Sequence, residues 1–372
     1  MLGIYVHVPF CVSRCRFCDF AADAMDETRA ARYAVALKKE LEAAADQAGG
    51  RVDTVYLGGG TPPIIGARRL MGIIEHLATS FELAPDAEFT CEANPESLTA
   101  EMLDTLLAAG VTRLSLGAQS FDDKTLAVLG RRHDARGAED AYWRARAAGF
   151  DNVSLDLMYG LPGRPLAGWK QDLERALALG PEHLSAYGLT LPPTSELSRT
   201  RYLYYFPDDD EQADMYYAAV DTFGAAGYAL YETSNFARPG RECRHNIKYW
   251  RDGEYLGFGP AAASHFGRGR YRNPPDLDEY CVRAAVGRWP LVDAEPSDPY
   301  REMRTAAVLG LRLAAGIDAA AFERATGVNP KLYYKDIFAK YVAAGLIAVA
   351  GDNVRLTRRG LYLADEVFAA LI

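Results

Sequence analysis

Three cysteines near the start of the chain, Cys11, Cys15 and Cys18, stand at C-x3-C-x2-C spacing just after an apolar segment. Thiolates so spaced suit a four-iron cluster ([4Fe-4S]), and three of them leave one iron without a protein ligand. An iron held open in this way can chelate the amino and carboxylate groups of S-adenosylmethionine (SAM). It can then pass one electron into the sulfonium, so the radical chemistry belongs to the cofactor and the protein supplies binding and orientation. Zinc would need a fourth ligand, such as His7 or a distant residue. A disulfide is disfavoured by the adjacent strand and the lack of a secretory signal; plain thiols remain a third reading.

Further residues of suitable chemistry follow at regular intervals. Gly58-Gly59-Gly60-Thr61-Pro62 allows close backbone approach to a ligand, with the SAM ammonium the natural candidate after a cluster loop. A tight strand-to-helix turn explains the same glycines without a ligand. Glu92 ends an apolar run just before Asn94-Pro95, which forces the chain out of a sheet. Gln119 follows another such run, and Asp156 lies inside a third. A buried carboxylate needs a partner or a ligand, and Arg131 could pair with Asp156 or neutralise a ligand's carboxylate. In Cys243-Arg244-His245-Asn246-Ile247-Lys248-Tyr249-Trp250, His245 is a candidate axial ligand for a heme. Tyr249 and Trp250 offer flat apolar surface, and Cys243 is a competing thiolate. The alternative is a histidine that orders its loop by hydrogen bonding while Tyr249 and Trp250 fill core.

These residues need a frame. Short apolar strands are predicted at Ile4–Val8, Thr54–Leu57, Glu88–Glu92, Arg113–Leu116, Asn152–Met158 and His183–Leu189, alternating with amphipathic helices at Glu27–Ala45, Ala67–Thr79, Thr99–Ala109, Ala138–Ala148 and Pro165–Leu179. Such alternation implies parallel strands with right-handed crossovers. The fold class expected is α/β: a partial, TIM-like (β/α)6 barrel with its chemistry at the C-terminal strand ends. Residues 1–190 would form that barrel, and 191–297 an extension rich in Gly, Arg, His and aromatics that builds the site. Residues 298–372 read as a winged-helix-like module of helices and a small hairpin.

With 372 residues, 49% of them hydrophobic, the chain can bury a sizeable core. No apolar run approaches the ~18 residues that a membrane span requires, and the N-terminal stretch is not expected to be a signal peptide. A net charge of −9 argues against a general nucleic-acid binder. Six cysteines, three of them clustered, suit a cytoplasmic metalloprotein.

Taken together, Tyr5–Cys11, Gly58–Pro62, Cys91–Pro95, Asp156–Pro162, Tyr231–Phe236 and Arg244–Trp250 resemble the oxygen-independent coproporphyrinogen oxidase family of radical SAM proteins, over nearly the whole chain. The resemblance implies a SAM pocket of Tyr5, Phe17, Gly59, Gly60, Thr61, Glu92, Gln119, Arg131 and Asp156, with Thr190 added. The oxidase branch carries a fourth cysteine two positions beyond the triplet, where this chain has Phe20, and an N-terminal extension. Both departures, with the His-Asn-x-x-Tyr-Trp segment, are shared with the heme chaperone branch. That branch implies heme or a related porphyrin as ligand, heme-accepting apoproteins as partners, a flavodoxin-like reductant and a homodimer. Its cluster and SAM would serve regulation or dimerisation more than turnover. Oxidative decarboxylation of coproporphyrinogen III and SAM-dependent radical methylation are the competing activities. In Gly257–His265, Ala263 takes a position where the family usually has histidine, with His265 two places on.

Overall fold

The computed structural model describes residues 1–267, 269–292 and 298–372. Six parallel strands form the frame: β1 (Leu2–Val8), β2 (Val52–Gly59), β3 (Leu83–Ala93), β4 (Arg113–Gln119), β5 (Val153–Tyr159) and β6 (His183–Gly188). They pair in sequence order. Alternation sets their two faces. In β1, Ile4, Val6 and Val8 are fully buried in the main apolar core, while Tyr5 and His7 lie on the opposite face. The helices between strands are capped by local chemistry. Asp26, Thr99, Asp122 and Asp134 accept backbone N–H groups at N-termini, and Gly130, Gly149 and Gly180 end helices in the left-handed conformation.

Two features go beyond the predicted pattern. A helix at Asp123–Leu129 precedes the one at Ala135–Ala148, and its Gly130 cap delivers Arg131 to the strand ends. The segment after residue 190 also extends the sheet at both ends. At one edge β8 (Asn235–Ala237) adds antiparallel to β6, and β7 (Ala229–Leu230) antiparallel to β8. At the other, β9 (Tyr255–Phe258) joins β1 in parallel, followed by antiparallel β10 (Ala263–Phe266) and β11 (Gly269–Arg272). Among the described residues the order is β11-β10-β9-β1-β2-β3-β4-β5-β6-β8-β7.

The C-terminal segment has its own apolar core, from Met303 to Leu371. It combines helices, such as Pro299–Arg312, Lys335–Ala343 and Ala364–Leu371, with a small sheet of β12 (Ile317–Asp318), β13 (Ile347–Ala350) and β14 (Asn353–Leu356). It is tied to the rest at the end of Pro299–Arg312, where Thr233 N donates to Arg312 O and Ala314 N to Tyr231 O. Among the described residues no helix is long and apolar enough to cross a membrane.

Candidate functional site: a cysteine loop over a polar cavity

Cys11, Cys15 and Cys18 are all free, half-buried and turned into one cavity at the C-terminal ends of the strands. A hydrogen-bonded chain braces two of the sulfurs. Arg131 Nη1 donates to Cys15 Sγ at 3.3 Å and Nη2 to Asn94 Oδ1 at 2.6 Å and Gly117 O at 2.7 Å. Asn94 Nδ2 donates to Thr61 Oγ1 at 2.8 Å, which donates to Cys11 Sγ at 3.7 Å. Phe20 N points at Cys18 Sγ from 3.4 Å. Burial pushes the Cys11 thiol up to about 11 and raises Cys18 as well, so metal binding there must displace protons. His7 cannot close a zinc shell. Its Nε2 donates to Ala21 O at 2.9 Å and its Nδ1 lies 3.0 Å from the Tyr5 hydroxyl.

The cavity has a volume of about 440 Å³, within the ~300–1,000 Å³ of small-molecule sites. Phe17, Gly59, Gly60, Thr61, Glu92, Gln119, Arg131, Asp156 and Thr190 all line it. Tyr5 sits on β1, its ring tilted against that of Tyr56 at 6.1 Å, and lines a neighbouring cavity. Glu92 accepts from Tyr56 Oη at 2.8 Å and Gly59 N at 3.2 Å, and burial raises its pKa to about 7. The glycine run is needed for packing. A Cβ on Gly60 would lie 2.4 Å from Phe10 O, and one on Gly59, at φ +101°, 2.6 Å from the His7 ring. Gln119 has φ 66° at a register shift in β4, a left-handed conformation costly for a residue with a side chain.

Asp156 does not pair with Arg131. Its carboxylate accepts from Ser115 at 2.9 Å, Ser154 at 3.1 Å and Ser185 at 2.7 Å. Those serines were missed, as were Asn94, Arg113, His183 and Asn246 of the cavity wall. Their signal was available: Arg113-x-Ser115-x-Gly117, Ser154-x-Asp156 and His183-x-Ser185 place polar residues at period two within apolar strands.

The helix Arg244–Trp250 lies against β2 and the C-terminal helix Pro299–Arg312. Glu88 of β3 holds its start, accepting from Arg244 N at 2.9 Å and His245 N at 3.0 Å. His245 is fully buried, with Nδ1 2.9 Å from Thr54 Oγ1 and Nε2 2.8 Å from Tyr249 Oη. Burial lowers its pKa to about 3, so the ring is neutral. Cys243 is buried too, its thiol 3.6 Å from Glu88 Oε1. In this arrangement His245 is held by Thr54 and Tyr249, and Cys243 lies against Glu88. The segment faces two ways: Asn246 reaches the cysteine cavity, whereas Tyr249 and Trp250 line a second one with Tyr5. Asp19 and Phe20 border both.

Residues 5–176 match the Radical SAM superfamily and residues 298–363 the HemN C-terminal domain. Curated relatives match along the chain. The heme chaperone HemW of Mycobacterium tuberculosis is 39% identical, covering 100% of this chain and 94% of that protein. The heme chaperone HemW of Bacillus subtilis is 33% identical, covering 100% and 99%. The chain belongs to the HemW family. The coproporphyrinogen III oxidase HemN of Escherichia coli, a radical SAM enzyme, shares the fold with a TM-score of 0.87 at 24% identity, over 100% of this chain and 89% of that one.

Membership in the HemW family of radical SAM proteins implies a [4Fe-4S] cluster and SAM, and the side chains fit both groups. Three thiols outside any disulfide converge with N–H donors aimed at two sulfurs, and the same cavity is lined by acidic Glu92 and Asp156 and by cationic Arg131, complementary to an amino acid's two charges. Ala263 and His265 lie on one face of β10, opposite Arg272 and Arg270 of β11. The histidine is therefore displaced by one pleat but kept on the same side of the sheet.

Proposed function

We propose that this protein is a heme chaperone of the cytoplasm, binding heme and delivering it to heme-accepting apoproteins. End-to-end similarity to curated heme chaperones carries this reading. Phe20, more than half exposed, stands where the oxidase branch would place a fourth cysteine, which supports the same choice. Cys11, Cys15 and Cys18 would hold the cluster, whose bound form supplies the electron for reductive opening of SAM. Glu92 would receive the SAM ammonium, with the Gly59 amide and Tyr56 hydroxyl fixing its carboxylate, and Arg131 would face the ligand's carboxylate. Asp156, set among three serines, would accept from ligand hydroxyls. Residues 1–190, 191–297 and 298–372 would act as barrel, site-building extension and C-terminal module; 293–297, at the second boundary, lie outside the described residues.

The test is anaerobic. Reconstituted protein is titrated with heme, then mixed with an apo-globin, while a parallel sample is incubated with coproporphyrinogen III, SAM and a reductant. Stoichiometric heme uptake, transfer to the globin and no vinyl product are expected. Accumulation of protoporphyrinogen IX would overturn the reading.

A further inference from the structure

The second cavity, about 670 Å³, is separated from the cysteine cavity by Asp19 and Phe20. Its floor is one face of the sheet edge. There Tyr255 of β9 lies opposite His265 of β10, which lies opposite Arg270 of β11, and Ala263 lies opposite Arg272. Tyr249 and Trp250 form one wall, and Thr305 and Leu309 of the C-terminal module another. Flat rings therefore surround an open space that carries two guanidinium groups on one side.

The polar groups there are incompletely satisfied. Arg270 is bound to Asp252, but its Nε is buried without a hydrogen-bond partner. Arg272 is exposed and donates through Nε to Ala261 O at 2.9 Å; among the described residues no carboxylate pairs with it. Trp250 Nε1 is likewise buried and unpartnered, with Arg312 stacked 4.5 Å above the ring. Asp19 lines the cavity, and Asp252, which also feels the Glu302 carboxylate, is committed to Arg270.

Resting on the chaperone reading, we infer that this second cavity is the porphyrin site: the macrocycle lies among Phe20, Trp250 and Tyr255, and its propionates meet Arg270 and Arg272. A planar apolar dianion matches both features, since aromatic faces favour a flat ring and guanidinium forks bind carboxylates bidentately. The cysteine cavity instead gathers Glu92, Asp156 and Arg131, charges that suit an amino-acid ligand. The two occupants would thus sit on opposite sides of the cysteine loop, with the C-terminal module closing over the porphyrin alone.

The experiment compares ferric heme with its dimethyl ester, titrated into reconstituted full-length wild type, Arg272→Ala and Ala263→Trp. Iron and sulfide content serve as the folding control. Arg272→Ala is expected to weaken heme binding about tenfold, as expected for loss of a charge-assisted pair. The ester should bind wild type more weakly and be indifferent to Arg272→Ala. Ala263→Trp should block both by filling the floor. If wild type binds heme and both variants bind it equally well, this location is wrong and the chaperone reading stands. If wild type binds no heme, the chaperone reading itself fails.

Discussion

Replacing His245 by glutamine tests whether this residue is a buried neutral histidine rather than an exposed ligand. The ring is fully buried and its pKa is lowered from 6.5 to about 3 by burial. Below pH 6.5 the unfolded chain takes up a proton that the folded chain refuses, so its contribution to stability is complete above 6.5 and is lost as pH falls toward 3. Each pH unit inside that window is worth about 1.36 kcal/mol, so lowering pH from 7 to 5 should cost about 2 kcal/mol through this residue alone. With an unfolding entropy of roughly 2.1 cal/mol/K per residue, that corresponds to about 2–3 °C in Tm for a chain of this length. Glutamine cannot titrate, yet it can still hydrogen-bond Thr54 or Tyr249. His7 and His183, also lowered by burial, contribute equally to both proteins and cancel in the comparison. Anaerobic thermal scans of reconstituted wild type and His245→Gln at pH 7 and 5 should therefore show the variant losing about 2–3 °C less. Parallel losses would mean that His245 is solvated, and the reasoning would fail.

Two further outcomes probe the cysteine cavity. Glu92, raised to about 7 by burial, must ionise to receive an ammonium, so SAM affinity should fall about tenfold from pH 8 to pH 6. Glu92→Gln should bind SAM weakly at both pH values in anaerobic calorimetry; a pH dependence retained in the variant would assign it elsewhere. Gln119→Gly should relieve the left-handed backbone at φ 66° and stabilise the protein by about 1 kcal/mol, while losing SAM affinity. Raised Tm with unchanged SAM affinity would remove the Gln119 side chain from the pocket.

Sequence patterns speak most plainly where the signal is local. The cysteine spacing, the glycine run before Thr61 and the strand–helix alternation each depend on residues within one turn or strand. Partners across the sheet are a different matter, because strand register sets them. Thr54 and His245 are 191 residues apart in sequence, and no periodicity in Arg244–Trp250 announces that its histidine lies against β2. Asp156 was recognised as needing a partner, but choosing three serines over Arg131 required knowing that Ser115 and Ser185 sit on the neighbouring strands. Arg131 was drawn away by Asn94 and Gly117 O, which the helix Asp123–Leu129 brings within reach. Tyr5 shows the opposite limit: its place on β1 was legible, but which of two chambers it borders was not.

The partition made by Asp19 and Phe20 carries a thermodynamic obligation. Two occupants that share a wall cannot be independent if either one shifts it. Whatever factor filling one chamber imposes on affinity in the other must be returned in full, and with the same sign, when the order of loading is reversed. A cysteine loop stripped of iron by oxidation would then alter the hold on cargo without any direct contact between metal and cargo.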